Sequence, residues 1–404
     1  MMMIHPVPVT HREQVLAFRL NSHNLAERLP RASLLLAAGA CGLQNTPPGS
    51  ADLALHARVT GLDPVDVGRS LVVDKTLLQL WSLRASPYIF PTGDAAIFTR
   101  GVLPEDEDSL RFFIIGVEAA LEKIGISATQ VVELTAAALT EILNGRALTK
   151  DDLGIQISRR LSPDLTAEQA GAWRSPSWYA PGQSLGESVV RFALPILALK
   201  GLCCHAERRG NQAFIRLAHL WLGSPLPEGN PLYARAELVR RYLHCYGPST
   251  ARHFAEWVGI SAAQASQAWK LVESEMLAIH IDGRETFLLQ QDLLPLESSS
   301  IPKGVRFLPP HDPYLAMRDR ETLLPDKALH RLLWRPSGNP GVVLVGGQLV
   351  ALWRSRKKNN RLDVTIEAFT SLSQGIRSQV EAEAETLAPF RGCTSVTTNF
   401  TSAG

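Results

Sequence analysis

The sequence predicts a mainly α-helical protein with small β elements, on three observations. Apolar residues recur at helical spacing over much of the chain, as Val131, Leu134, Ala138 and Ile142 do. Several such runs open on Ser or Thr with Gln three residues later, the pattern of a capping box: Ser127-x-x-Gln130, Thr166-x-x-Gln169 and Ser261-x-x-Gln264. Asp282-Gly283 stands between two short alternating runs, Ile279-His280-Ile281 and Arg284 to Leu288, which is the strongest short-range hairpin signal.

Taken in order, Arg12 to Arg28 is helix-periodic, Ser33 to Ala40 is apolar, and Ala51 to Arg58 and Pro64 to Ser70 read as short helices. Gly42 to Ser50, with Pro47-Pro48 and two glycines, is a loop of fixed backbone. Lys75 to Trp81 precedes a short extended piece, Tyr88-Ile89-Phe90, stopped by Pro91. The acidic run Glu105 to Asp108 reads as the solvated first turn of one helix reaching Lys123. Thr149 caps a helix from Asp151 to Leu161, and Gly186 begins another. Extended runs Leu202 to Ala206 and Ala213 to Leu217 flank a basic hairpin tip, Arg208-Arg209-Gly210-Asn211.

Arg235 to Tyr246 is a helix, Ser249 or Thr250 caps a second through Trp257, and the third opens at Ser261 with Ala265, Ala268, Trp269, Val272 and Met276 on its apolar side. Two helices, a turn, a third helix and a two-stranded wing make a winged helix. The stretch from Leu103 to Gly223 repeats that order with longer spacers, and the first hundred residues read as a degraded copy. From Val305 onward strand-like runs dominate: Gly341 to Val345, Gln348 to Trp353 and Leu362 to Ala368. They suggest a small β-barrel-like domain closed by a helix from Ile376 to Leu387, with a frayed tail from Gly392. The predicted fold is thus mainly α with β: tandem winged-helix units at 1–102, 103–230 and 231–299, then a barrel-like domain at 300–404.

Composition excludes several classes. A chain of 404 residues with 45% hydrophobic and 20% charged residues is globular and too long for one core. Five cysteines, none in a C-x-x-C pair, predict reduced buried thiols rather than a disulfide framework or a zinc knuckle. His205 beside Cys203-Cys204 and His244 beside Cys245 read as packing residues, so no metal and no cofactor is expected. Met1 to Arg12 lacks an apolar core for a signal peptide, and no apolar stretch is long enough to span a bilayer, which predicts a cytoplasmic protein. Without a heptad or an apolar dimer face, a monomer is the default expectation.

The net charge is only +2, so any nucleic-acid affinity must come from local clusters. The densest is Arg354-Ser355-Arg356-Lys357-Lys358-Asn359-Asn360-Arg361, five cations with no acid among them, suited to phosphates. Arg208-Arg209 is a second candidate, read either as a DNA contact or as a solvated turn. The third helix of the 231–299 unit offers Gln264, Gln267 and Lys270, a weakly basic face that suits DNA or a protein partner equally. Nucleotide-binding glycine loops, nucleophile elbows and H-E-x-x-H are missing from the sequence.

Several stretches, in chain order, resemble one family, the winged-helix DNA-binding proteins that include the AlkZ and YcaQ DNA glycosylases. They are Gly42-Leu43-Gln44-Asn45-Thr46, Leu53 to Arg58, Trp81-Ser82-Leu83-Arg84, Arg306 to Pro313, Arg318-Asp319-Arg320, and Gly346-Gly347-Gln348 with Trp353-Arg354. The resemblance implies tandem winged helices around a concave DNA-binding face, and hydrolysis of the N-glycosidic bond of alkylated purines in double-stranded DNA. It assigns catalysis to Gln44, Thr46 and Tyr88, with Arg84 holding the nucleotide, while the local basic clusters supply the DNA-binding candidates Arg208, Arg209, Arg354, Arg356, Lys357, Lys358 and Arg361. Two positions depart from the family's pattern. Thr46 stands where its Gln-x-Gln or Gln-x-Asp motif ends, and Tyr88 stands where it has the His of His-x-x-Pro. Both keep polarity and lose acid–base capacity near neutral pH. The alternative reading is a non-catalytic winged-helix DNA-binding or regulatory protein.

Overall fold

In the computed structural model, which describes residues 9–210 and 212–402, the chain is a mixed α/β protein about half helical with four small sheets. The expectations for the first eight residues, for Asn211 and for the last two residues lie outside the described residues. The chain divides into two compact units. One takes in Met1–Gly68, Val239–Trp257 and Val272–Gly404; the other takes in Arg69–Leu238 and Val258–Leu271.

In the first unit the strands Val305–Leu308, Gly341–Val345, Gln348–Lys358, Arg361–Ala368 and Ser395–Ser402 form one five-stranded sheet in that order. The barrel expectation is corrected here, because the first and last strands do not pair and the sheet stays open. The helix Gln374–Glu385 covers one face instead, setting Val380 and Ala384 against Phe307, Val343, Val364 and Ile366. The expected frayed tail is likewise corrected: Ser395–Ser402 runs parallel to Arg361–Ala368, with Val396 opposite Leu362 and Phe400 opposite Ile366. A parallel partner needs a crossover helix, and Gln374–Glu385 supplies it.

The same unit holds the hairpin read from Asp282-Gly283. Met276–Ile281 pairs with Arg284–Leu289, and Asp282 and Gly283 both adopt positive φ, as a two-residue hairpin turn requires. Met276 therefore belongs to a strand, not to the preceding helix, which ends at Lys270. The helix Arg12–Ser22 packs Val15 and Phe18 on Ile279, Leu288 and Leu296 of this layer.

In the second unit the local signals hold. Ser127 and Thr166 make complete capping boxes, opening Ala128–Ile142 and Ala167–Arg174, and Thr149 caps Lys150–Leu161. Leu77–Trp81 pairs with Pro87–Pro91, and Cys203–Arg209 with Gln212–Leu217. The single helix expected from Glu105 to Lys123 is two, Glu107–Phe113 and Glu118–Ile124, parted at Gly116, whose φ is 89°. Glu107 is more than a solvated charge. Its carboxylate accepts from the Ala128 and Thr129 amides, the Thr129 hydroxyl and Arg111, and against the effect of burial these bonds bring its pKa down to about 2.

One buried ion pair ties the first unit together. Arg58, at the end of the helix Ser50–Arg58, meets Asp312 in a two-pronged contact with both bonds at 2.8 Å, and the side chains are 2% and 0% exposed. Arg58 also donates to the Ala54 carbonyl, and Asp312 accepts from the Tyr314 amide, so both partners are tied to the backbone as well as to each other. We expect Arg58→Met to destabilise the fold by about 3–5 kcal/mol, because it strands a buried carboxylate. Urea unfolding checks this, and a loss below ~1 kcal/mol would remove the pair from its structural role.

Two histidines make stability depend on acid. Burial lowers His56 from 6.5 to about 4, helped by Arg28 and Arg306, and it lowers His205 likewise to about 4. Both are neutral in the fold yet take up a proton when unfolded below pH 6.5, so the unfolded state binds more protons there. Stability should therefore fall as pH drops from about 6.5 to about 4, and replacing His205 with Gln should flatten that fall in a pH series of melting temperatures.

Candidate functional site

The loop from Gly42 to Gly49 lies in the first unit. Leu43–Gln44 is a two-residue strand, Gln44 is 9% exposed, Thr46 is half-buried, and the Thr46–Pro47 peptide is cis. The loop is shaped by the residue between the two predicted catalytic positions. The Asn45 side-chain oxygen accepts from the Gly49 amide at 2.8 Å and the Ala51 amide at 3.3 Å, satisfying donors at the start of Ser50–Arg58. Gly49 reaches this turn with φ of 84°, where a side chain would be strained and would meet Arg391. The loop thus holds a buried Gln44 and a half-buried Thr46 on either side of the residue that shapes its backbone.

Arg84 and Tyr88 come together in the second unit. Arg84 adopts a left-handed backbone, φ 53°, and its Nη2 donates to the Tyr88 hydroxyl at 2.6 Å. Gly259 makes this possible: a Cβ there would lie 2.8 Å from Arg84 Cγ and 3.0 Å from its Cα. Tyr88 is 3% exposed within Pro87–Pro91, so Arg84 is the more accessible member of the pair. Near them in sequence, Trp81 packs against His205 with centroids 4.4 Å apart and ring planes tilted by 56°, and His205 is buried.

The basic segment is an extension of a strand rather than a loop, since Gln348–Lys358 runs through most of it and only Asn359-Asn360 turn. Pairing sets the faces: Arg356 lies opposite Asp363, Lys358 opposite Arg361, and Lys357 opposite the core residue Leu362. Asp363, just past the cluster in sequence, binds Lys358 at 2.8 Å and Arg361 at 2.9 Å, and these contacts hold its carboxyl below the usual range despite desolvation. Arg356 is exposed and makes no ion pair among the described residues. Lys357 donates to the Gly392 carbonyl and Arg354 to that of Gly338.

In the second unit Arg208 and Arg209 lie at the exposed end of their strand, where Arg209 sits 5.0 Å over the Phe214 ring. One expected surface contact is overturned. Gln264 is 8% exposed, and its amide donates to the Val102 and Leu103 carbonyls, leaving only Gln267 and Lys270 of that trio exposed. No helix among the described residues is long and apolar enough to cross a membrane.

Sequence spacing missed two groupings. His23, Cys41 and Cys245 place three metal-capable atoms within 4.8 Å of one another in the core of the first unit. Cys41 is held below the ordinary thiol range by Cys245, against burial, with His23 adding to the effect. The second is a cavity of about 400 Å³ lined by Pro47, Pro310, Asn339, Pro340, Trp353, Arg354, Ser355, Lys357, Leu362 and Arg391. No local signal marked Arg391, which follows Phe390 in an isolated basic position.

A family model described as DNA glycosylase AlkZ-like matches residues 37–390 of this chain. A Streptomyces sahachiroi protein described as an interstrand DNA cross-link repair glycosylase is 25% identical over 352 residues, spanning 84% of this chain and 86% of that protein. The solved structure of Streptomyces sahachiroi DNA glycosylase AlkZ has a similar fold, with a TM-score of 0.74 at 23% identity, covering 97% of this chain and 100% of that one.

The Asn45 clamp carries a testable consequence. Asn45→Ala should cost about 1–2 kcal/mol in urea unfolding by orphaning two amides, whereas Thr46→Ala should cost less. Equal effects would show that the loop is not held by residue 45.

Proposed function

We propose, on the premise that the chain belongs to the AlkZ-like DNA glycosylase family, that it binds double-stranded DNA and hydrolyses the N-glycosidic bond of alkylated purines. The observation that carries this reading is the Gln44–Thr46 loop, in which the two residues flank Asn45, the residue that pins the turn. An N7-alkylated purine is already cationic. When the C1′–N9 bond breaks, the electron pair goes to the base and neutralises it. Water then bonds to C1′ and its proton passes to solvent. Such a reaction needs a positioned water and a polar environment for the oxocarbenium-like sugar more than it needs a strong base. Gln44 and Thr46 supply the positioning; Arg84, with Tyr88 behind it, holds the nucleotide. Bulky or crosslinked adducts are included in the proposed substrate class, in keeping with the activity for which the Streptomyces relative is described.

The finer organisation belongs to the same proposal: winged-helix units over 1–102, 103–230 and 231–299, and a cytoplasmic monomer that meets DNA through Arg208, Arg209 and the segment from Arg354 to Arg361. Thr46 and Tyr88 favour a second reading, a non-catalytic DNA-binding protein, because neither side chain takes a proton from water at neutral pH.

The deciding measurement is base release from a duplex carrying a single N7-alkylguanine. The wild-type protein should release the base, and Gln44→Ala should slow release by roughly a hundredfold or more with DNA affinity nearly intact. Tight wild-type binding at low salt without any release would establish the second reading.

A further inference from the structure

The cavity beside the Gln44–Thr46 loop is charged in one sense only. Three cations line it, Arg354, Lys357 and Arg391, and no carboxylate is among its lining residues. Pro47 forms part of the wall, so the space begins one residue from Thr46, and Pro310, Pro340 and Trp353 complete an apolar surround. Two guanidinium atoms here, Arg354 Nη2 and Arg391 Nε, are buried and make no hydrogen bond within the protein. Buried polar atoms are ordinarily satisfied, so donors left over beside a cavity call for an acceptor that enters it.

The cations are also held in place. The Lys357 ammonium is fixed at 2.8 Å from the Gly392 carbonyl, Arg354 Nη1 at 3.1 Å from the Gly338 carbonyl, and Arg391 lies against the Gly49 turn at the start of Ser50–Arg58. Asp52, in the first turn of that helix, interacts with Arg391; burial raises its pKa and Arg391 opposes the rise. Toward the turn the strands differ, since Asp363 already partners Lys358 and Arg361 there. Two guanidiniums and an ammonium around a space of about 400 Å³ make a cationic, donor-rich site with room for a backbone phosphate and part of the sugars it joins.

We propose that Arg354, Lys357 and Arg391 form a pocket for a single DNA backbone phosphodiester, seating the strand so that the sugar under attack faces Gln44 and Thr46. This rests on the glycosylase reading and deepens it. Arg391 becomes a positioning residue that no local sequence signal marks, and the basic segment divides into two pocket cations, Arg354 and Lys357, and three outside the pocket lining. A phosphate fixed one residue from the catalytic loop orients the sugar, so its loss should slow release even from saturated complexes.

The test uses the full chain, a duplex with one N7-alkylguanine, and the variants Lys357→Gln, Arg391→Gln and Arg356→Gln, each checked for folding by thermal melting. Lys357→Gln keeps the test decisive if Arg391→Gln fails to fold. For pocket variants we expect affinity to fall roughly ten- to a hundredfold. The slope of log K against log salt should drop by about 1, and single-turnover release should slow at saturating protein. Arg356→Gln, outside the pocket lining, should also weaken binding, and it should slow saturated release less than the pocket variants do. Folded pocket variants with wild-type affinity, salt slope and release rate would overturn the pocket. So would melting-temperature shifts by millimolar inorganic phosphate that need Lys357 while DNA binding does not, since the site would then serve a small free anion. If wild type binds but releases nothing, the glycosylase reading fails, and affinity and salt slope alone decide the pocket. If wild type does not bind DNA, both fall.

Discussion

The contact between Arg58 and Asp312 organises the first unit, because each partner ends a segment that carries something else. Arg58 terminates the helix that follows the Gln44–Thr46 loop, and Leu53 in that helix packs into the core of the five-stranded sheet. Asp312 lies just beyond the strand Val305–Leu308 and accepts from the backbone of the turn that begins at Pro313. A buried pair is weak evidence for net stability, since desolvation offsets much of the attraction. Its value here is registry: the two-pronged geometry allows one relation between helix and strand, and that relation fixes where the loop meets the sheet. A second arginine–aspartate contact, Arg19 with Asp319, repeats the device, Arg19 also donating to the Gly247 and Pro248 carbonyls.

The motifs that resemble the glycosylase family are for the most part such pins. Arg58 and Asp312 come from two of them and Asp319 from a third. Trp353, from a fourth, donates its indole N–H to the Leu308 carbonyl at 2.9 Å, linking two strands of the sheet. Ser82 does the same for the second unit through the Phe98 carbonyl. Polar residues recur there because buried donors and acceptors must be satisfied, and a partner distant in sequence constrains both ends.

Local chemistry was the legible part. Capping boxes and the Asp282-Gly283 turn could be read because every atom they need lies within a few residues. The strand Ser395–Ser402 escaped, since its polar sequence resembles a tail and its partner lies across a whole helix, although Val396 and Phe400 on one face were a faint signal. Gln264 was misplaced for the same reason: its acceptors, Val102 and Leu103, are remote in the chain. The residue types of the candidate site could be named from sequence, but not the hand that shapes the loop, Asn45, nor the count of effective charge. Counting stopped at Arg361, and Asp363 stands two residues further on.

The Asn45 clamp separates the loop's form from its reactivity. Residue 45 and the glycine at 49 set the backbone, while residue 46 contributes a side chain that the turn does not need. Replacement at position 46 should therefore cost folding little, and under the proposed function it would change the chemistry. Under that reading an amide, a carboxylate or a hydroxyl could stand there on the same turn, so a single replacement would redirect the chemistry without rebuilding the loop. Position 45 has no such latitude, because any residue that fails to accept from two amides would disturb the entire turn.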